Sequence, residues 1–376
     1  MSLQTVIKKV LGRSYRRLIK DRISPVWLLY GDEKTTGIPV RLLYIGGDKH
    51  REYLRRMVFS DSGTKSYLGA MHNSRVDSAW RKHTSNVDLI IVKTSQLSIS
   101  LRQQGFFEIP AWVDVMRNLD KVFQRLSNSK SAKRDLREIK KHGYEYKVVS
   151  DPASFYDFYY SMYLPLIHNR YRDEAIPATY EQLLRNVPRS ELLLVTQYGE
   201  TLGGMMLVYG KNEVQSWKEG LRDGNTALAR KGVIAATYVF EAQYLSKKGI
   251  KNINQGGTRT FFRDGQFRYK KKWGISLGRP WDQYFYLKVL RPTSGAKAFL
   301  MEHPFLHLVK GNYHGAAFVG EPSQTTQKNL SKLVAECTVD GMQTLTLYRL
   351  DKSLPKIDPA SFGDHVNVQN ADAIWS

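Results

Sequence analysis

The 376-residue sequence predicts an α/β fold divided into more than one domain. Three features predict it. Between Glu191 and Glu219 three strand-like apolar runs follow one another with tight turns between them. An apolar stretch of helical length, Val233 to Leu245, comes next and leads into another short strand. The chain also exceeds the length of one ordinary core, and polar breaks separate strand and helix patterns on both sides of this central segment.

In chain order, Met1 to Arg22 reads as a basic amphipathic helix. Leu3, Val6, Ile7, Val10, Leu11, Leu18 and Ile19 follow helical spacing, and Lys8, Lys9, Arg13, Arg16, Arg17 and Lys20 take the other face. Such a helix packs on its own protein or lies on an anionic membrane. A small α/β unit follows, with strands at Val40–Ile45, Tyr67–Met71 and Asp88–Val92 and a helix at His50–Phe59. Ser127 to Ser131 forms a polar break, and a charged helix runs from Ala132 to His142, stopped by Gly143. Tyr144–Val149 is a strand, Asp151 caps the helix after Pro152, and another helix lies near Tyr180–Asn186. Glu191–Gln197, with the continuous apolar run Leu192–Val195, reads as a central strand. Gly199-Glu200 reads as a tight turn with glycine first. Leu202–Tyr209 and Glu213–Glu219 are the next strands. The buried helix spans Arg230 to Lys247 and ends at Gly249. Asn252–Gln255 is a short strand before Gly256-Gly257, and a basic segment from Phe261 to Trp273 leads to a strand at Asp282–Val289. Beyond Arg291, strands at Ala316–Val319 and Thr344–Leu347 flank a helix at Gln327–Glu336. The expected domains are therefore 1–35, a basic segment; 36–130, a small α/β domain; 131–290, the main α/β domain; and 291–376, a C-terminal α/β extension.

The net charge of +22 favours an anionic partner: nucleic acid, a membrane surface or a phosphorylated ligand. Solubilising lysines in a basic proteome would give the same number. One cysteine, Cys337, excludes an internal disulfide. No apolar run is long enough to span a bilayer, and cations interrupt the N-terminal apolar stretches. The expected location is the cytoplasm, or the inner membrane face through residues 1–22. The nine histidines show no metal-ligand spacing, so no metal is expected. Nucleophile-elbow, P-loop and Cys-His patterns are absent from the sequence.

The order of elements from Tyr144 to Val289 resembles the GNAT acyltransferase fold. The resemblance sharpens between Asn252 and Gly274. There a strand ending in Gly256-Gly257 precedes Tyr269-Lys270-Lys271-Lys272-Trp273-Gly274, an aromatic-Lys-x-x-aromatic-Gly signature similar to the FemABX and BioF2-like branch. Leu202-Gly203-Gly204-Met205 is similar to that branch as well. The resemblance covers about residues 130 to 290. It implies a GNAT-like mixed central sheet flanked by helices, and a first domain that is a second, degenerate copy in the tandem arrangement of FemABX proteins. One departure stands out. The glycine-containing phosphate motif that GNAT proteins carry before the buried helix is out of register here, as Arg230-Lys231-Gly232-Val233-Ile234-Ala235.

By this resemblance Lys270 is the oxyanion stabiliser and acyl-CoA the donor substrate. Glu219, at the end of its strand, is the candidate general base; a partnership with Lys218 or Arg222 is the structural alternative. Tyr269, with Tyr238, is a candidate acid toward the leaving group. Arg230, Lys231 and Gly232 are the donor-binding set, through cations and the helix start. Gly256, Gly257, Arg259 and Trp217 complete the set as substrate-binding residues. Three functions remain open at this point. One is an N-acyltransferase moving an acyl group from acyl-CoA to an amino group of a sugar, peptide or cell-envelope precursor. Another uses aminoacyl-tRNA as donor, which suits the basic charge. The third is a non-catalytic binding protein with a degenerate GNAT domain.

Overall fold

In the computed structural model the described residues are 23–375, apart from 77–79, 96, 129, 172–176 and 212. The basic helix expected over Met1–Arg22 lies outside them. The chain forms two compact units, each assembled from separate stretches. The first takes residues up to Trp112, Arg259–Phe267 and everything from Pro280; the second takes Val113–Thr258 and Arg268–Arg279. This replaces the four consecutive domains expected from the sequence.

The first unit opens with β1 (Ile23–Asp32), a strand inside the segment expected to be a basic extension. It pairs antiparallel with β2 (Pro39–Ile45) and with β3 (Thr64–His72), and α1 (Asp48–Val58) lies between those two in sequence. β4 (Leu89–Thr94) runs parallel to β2; α2 (Ile99–Gln103) and β5 (Phe107–Pro110) follow. The second unit begins at β6 (Val113–Asn118), α3 (Leu119–Asn128), α4 (Lys130–His142) and β7 (Glu145–Val149). Next comes α5 (Pro152–Asp157), capped as expected by Asp151, whose carboxylate accepts the Ser154 N–H at 2.9 Å. A π-helical turn (Phe158–Tyr163), α6 (Leu164–Tyr171) and α7 (Tyr180–Leu184) lead to β8 (Ser190–Gln197), β9 (Glu200–Tyr209) and β10 (Val214–Leu221). α8 (Thr226–Arg230), α9 (Val233–Lys247), β11 (Asn252–Thr258), α10 (Gly265–Lys272) and β12 (Ile275–Pro280) complete this part. The chain then returns to the first unit with β13 (Tyr284–Val289), α11 (Ser294–Glu302), β14 (Phe305–Val309), β15 (Asn312–Val319), α12 (Gln327–Cys337), β16 (Met342–Arg349) and β17 (Val366–Asn370).

The first unit's ten strands form one mixed sheet in the order β17-β16-β15-β14-β5-β13-β4-β2-β1-β3. Two expectations are corrected by it. The C-terminal stretch is no separate extension, because β14 pairs with β5. The strand expected at Asp282–Val289 does not close the main domain's sheet; β13 sits between β4 and β5. An apolar strand reads the same whichever sheet buries it, so local pattern leaves that choice open.

The second unit carries a seven-stranded mixed sheet, β12-β6-β11-β10-β9-β8-β7. β7 to β10 are antiparallel neighbours, as expected for the strands around Leu202 and Glu213. Alternation sorts their side chains onto two faces. Leu193, Val195, Met205 and Leu207 join a core that includes α9, while Leu192, Leu194, Met206 and Val208 join one built on Phe155, Phe158 and Met162. Cover on both faces explains the apolar run Leu192–Val195 at the centre of β8. The β8–β9 turn is Tyr198-Gly199, with φ of 50° and 85°, between paired Gln197 and Glu200. Both central residues have positive φ, which matches the strand twist, so the turn lies one residue earlier than the sequence suggested. The long helix also starts later than expected. α8 ends at Arg230, Gly232 at φ 92° reverses the chain, and α9 begins at Val233.

Candidate active site

β10 and β11 run parallel across the α9 crossover, but they pair only at Val214↔Ile253 and Gln215↔Asn254. Each is irregular where they part. The β10 register with β9 shifts between Ser216 and Lys218, and the β11 register with β6 shifts between Asn254 and Gly257. Gly256 takes φ 69°, and its N–H donates to Asn254 Oδ1 at 2.8 Å. The expected strand end at Gln255 is therefore a bulge, and β11 runs on to Thr258. A residue with a side chain would be strained at that φ. In open α/β sheets, ligands bind where the carboxyl ends of neighbouring strands diverge, and this is such a place.

Polar side chains take over where the ladder stops. Gln255 Nε2 donates to Ser216 Oγ at 2.7 Å and to Glu241 Oε2 at 3.3 Å. Glu241, on α9, also accepts from Ser216 Oγ and pairs with Arg117 of β6; both charged side chains are fully buried. Each charge needs the other there, since an ion alone in such surroundings costs several kcal/mol. The Arg117 guanidinium also lies 5.0 Å from the ring centre of Tyr238.

Glu219 lies further along β10, opposite Met205. Its Oε2 is 3.6 Å from Arg170 Nη1. The side chain is 19% exposed overall, yet Oε1 is out of contact with solvent and has no hydrogen-bond partner among the described residues. Burial pushes the carboxyl above the usual carboxylate range. The charges of Arg170 and Lys270 oppose that shift, and the charge of Glu241 adds to it. The partners suggested by sequence are engaged elsewhere. Arg222 pairs with both oxygens of Asp157, at 2.7 and 2.9 Å. Lys218 Nζ stands 4.7 Å from the Trp217 ring and 5.6 Å from that of Tyr163, and burial lowers its pKa. Trp217 itself packs against the Phe155–Met162 core.

Lys270 is 6% exposed on α10. Its Nζ donates to the carbonyls of Gln255 at 2.7 Å, Gly257 at 2.8 Å and Gly256 at 3.4 Å. An ammonium has three donors, so this one already serves the β11 bulge. The geometry is that of a latch on the backbone, and a direct role on an oxyanion would require breaking it. Lys272 is no solvated charge either, because it pairs with Asp135. Trp273 stacks on Tyr238 at 5.5 Å, and Tyr269 meets Tyr238 edge-on at 5.3 Å. Burial raises both tyrosine pKa values, with the Glu219 charge adding to each. They stay protonated at neutral pH and suit hydrogen-bond donation better than proton release.

The remaining expected residues are placed as follows. Arg230 and Lys231 are exposed and precede α9 rather than open it; the Lys231 carbonyl accepts the Tyr144 hydroxyl at 3.1 Å. Gly232 supplies the left-handed turn between the two helices. Arg259 belongs to the first unit, where its guanidinium lies between the rings of Tyr53 and Trp112 at 3.9 and 4.0 Å, with His50 Nδ1 at 3.2 Å. Sequence reasoning missed Arg170, Arg117, Glu241, Ser216 and Gln255. Two of these left a signal. Glu241 is a carboxylate within an otherwise apolar helix, and Arg117 takes the inward position of a strand whose Val113 and Val115 are buried.

Among the described residues no helix is long and apolar enough to cross a membrane, and no three His, Cys, Asp or Glu side chains form a metal-binding group. No protein-family model and no curated protein matches the chain. Solved structures do resemble it. The C-terminal domain of a putative lysylphosphatidylglycerol synthetase from Agrobacterium fabrum is 12% identical, with 70% of this chain and 81% of that one covered and a TM-score of 0.35. FemX is 12% identical, with 73% and 86% covered and a TM-score of 0.35. A GCN5-related N-acetyltransferase from Kribbella flavida is 8% identical, with 83% and 76% covered and a TM-score of 0.25. At these scores the likeness carries no weight for substrate or mechanism.

Proposed function

We propose that the second unit transfers an acyl group to an amine where β10 and β11 part, in the manner of the GNAT proteins its sequence resembles. The observation that carries this reading is Glu219: a desolvated carboxyl with an unpartnered oxygen, at the diverging end of a strand that has lost its parallel neighbour. An amine acceptor arrives protonated at neutral pH and must lose a proton before it attacks. A carboxyl whose pKa is raised by burial accepts that proton better than an ordinary one. The amine nitrogen then bonds to the acyl carbon, the bond to the leaving group breaks as the tetrahedral intermediate collapses, and the nitrogen's second proton leaves with that group, as a thiol from a thioester or a hydroxyl from an ester. Tyr238 and Tyr269 serve as hydroxyl donors toward the developing charge. Lys270 contributes by holding the Gln255–Gly257 backbone.

For the donor, an acyl-CoA is the first reading. Arg230 and Lys231 are exposed cations beside the start of a 15-residue helix, where backbone N–H groups and the dipole favour phosphate. Aminoacyl-tRNA is the second, favoured by the net charge of +22. Thermal-shift titration separates them, because a ligand that binds the folded state raises its stability. Coenzyme A raising the melting temperature of the wild type, and not of the Arg230→Ala/Lys231→Ala double variant, supports the first. A salt-sensitive response to aminoacyl-tRNA alone supports the second. No response to either leaves a binding protein without transferase activity.

A further inference from the structure

We infer that the acceptor is a short zwitterion, an amine with an anionic group a few bonds away, and that Arg170 is the residue that selects it. This rests on the amine-transfer reading above and deepens it.

The ion pair between Arg170 and Glu219 is poorly made for permanence. Nη1 and Oε2 are 3.6 Å apart, beyond hydrogen-bond range, and Arg170 is 35% exposed while Glu219 is mostly enclosed. Arg222 and Asp157, in the same unit, close instead to a bidentate contact at 2.7 and 2.9 Å. The backbone that carries Arg170 is nevertheless held firmly. Asn169 Nδ2 donates to the Gly224 carbonyl at 3.0 Å, and a Cβ on Gly224 would stand 2.6 Å from the Pro165 carbonyl carbon. The last turn of α6 is thus fixed just past the end of β10, with an exposed, planar cation beside a carboxyl that has one oxygen unpartnered. A guanidinium offers a fork suited to carboxylate or phosphate, and Glu219 offers an acceptor suited to an ammonium. Opposite charges side by side, each incompletely satisfied, complement a ligand carrying both charges in the reverse order.

Selection and activation are then linked. The charged or titratable groups facing Glu219 are Arg170 from α6, Lys270 and Tyr269 from α10, and Glu241 and Tyr238 from α9. Arg170 is first among those that lower its pKa. A ligand anion that engages Arg170 draws that cation's charge away from Glu219, and the ligand's ammonium takes its place as the proton source facing the carboxyl.

Calorimetric titration with three probes tests this: β-alanine, phosphoethanolamine and ethylamine. The first two distinguish carboxylate from phosphate as the anion, and the third has none. At least one of the first two is expected to bind the wild type roughly tenfold or more tightly than ethylamine does. Arg170→Gln is expected to abolish that preference and Arg170→Lys to restore part of it, with melting temperatures confirming that both variants are folded. Equal binding of all three probes, no binding of any, or an Arg170→Gln variant that keeps the preference would overturn the inference. The outcome is separable from that of the transferase reading. Zwitterion binding without acyl transfer removes the reaction and keeps the site, and acyl transfer at full rate to amines that carry no anionic group removes the zwitterion and keeps the reaction.

Discussion

The ammonium of Lys270 lies 2.7 Å from the carbonyl oxygen of Gln255, at the residue where β11 bulges away from β10. One side chain therefore ties α10 to the backbone that opens the site. Replacing Lys270 with Met leaves buried carbonyls facing a thioether. The expected loss is about 3 kcal/mol of stability, since charged hydrogen bonds are strong and an orphaned buried group carries its full desolvation penalty. Arg268→Met, on the exposed face of the same helix, should change stability by only a few tenths of a kcal/mol. Denaturant unfolding of both variants checks this; equal midpoints would remove the latch.

Glu219 shapes the pH dependence of stability. Its folded pKa lies above the ordinary carboxylate value of 4.5, so the native state holds this proton more tightly than the unfolded state does. Its contribution therefore weakens as pH rises from about 4.5 through the raised folded value, and the deficit is constant above that. Glu219→Gln should remove this component and be more stable than the wild type at neutral pH. Melting temperatures of both proteins from pH 4 to pH 8 check the sign. A wild type that gains on the variant as pH rises would contradict the raised pKa.

The Arg117–Glu241 pair is a buried interaction whose halves depend on each other. Arg117→Met or Glu241→Leu alone should cost about 3–5 kcal/mol, because each strands a charge. The double variant should recover much of that loss. A double-mutant cycle in urea measures the coupling, and additive losses would show that the charges are not paired.

Gly220 follows Glu219 and packs directly on the π-helical turn. A Cβ there would stand 2.7 Å from Met162 Cβ and 2.8 Å from the Tyr163 nitrogen. Gly220→Ala should therefore cost about 1–3 kcal/mol and move Glu219 with the strand. Gly265→Ala, where a Cβ meets nothing within 4 Å, is the control and should be neutral or slightly stabilising. Unfolding midpoints distinguish the two.

Much of the second unit was legible locally. The β8, β9 and β10 runs, the Asp151 cap and the buried helix are written in periodicity and turn chemistry over a few residues. The assembly of the two units was not. β13 is as apolar as β8, and nothing in its own sequence says that it joins β4 and β5. β1 carries the apolar run Val26–Tyr30 but directly follows a stretch rich in basic residues, so charge masked a strand. At the site, Glu219 is legible as a carboxylate near the end of a strand-like run. Arg170, 49 residues earlier, carries no such signal, because an arginine at the end of a helix is ordinary until the fold sets it beside a desolvated carboxyl. Lys270 was singled out by its signature, but its partners are backbone carbonyls, which no side-chain pattern reveals.

In the proposed reaction Glu219 takes a proton from an amine during acyl transfer. The most direct measurement is the pH–rate profile of labelled acyl transfer to an amine, from a coenzyme A thioester and from aminoacyl-tRNA, for the wild type and for Glu219→Gln. The expected wild-type rate climbs with pH and levels off above the raised pKa of Glu219, and the variant should be about a hundredfold slower or worse with that limb gone. A folded Glu219→Gln variant that transfers at the wild-type rate with the same profile would contradict the claim.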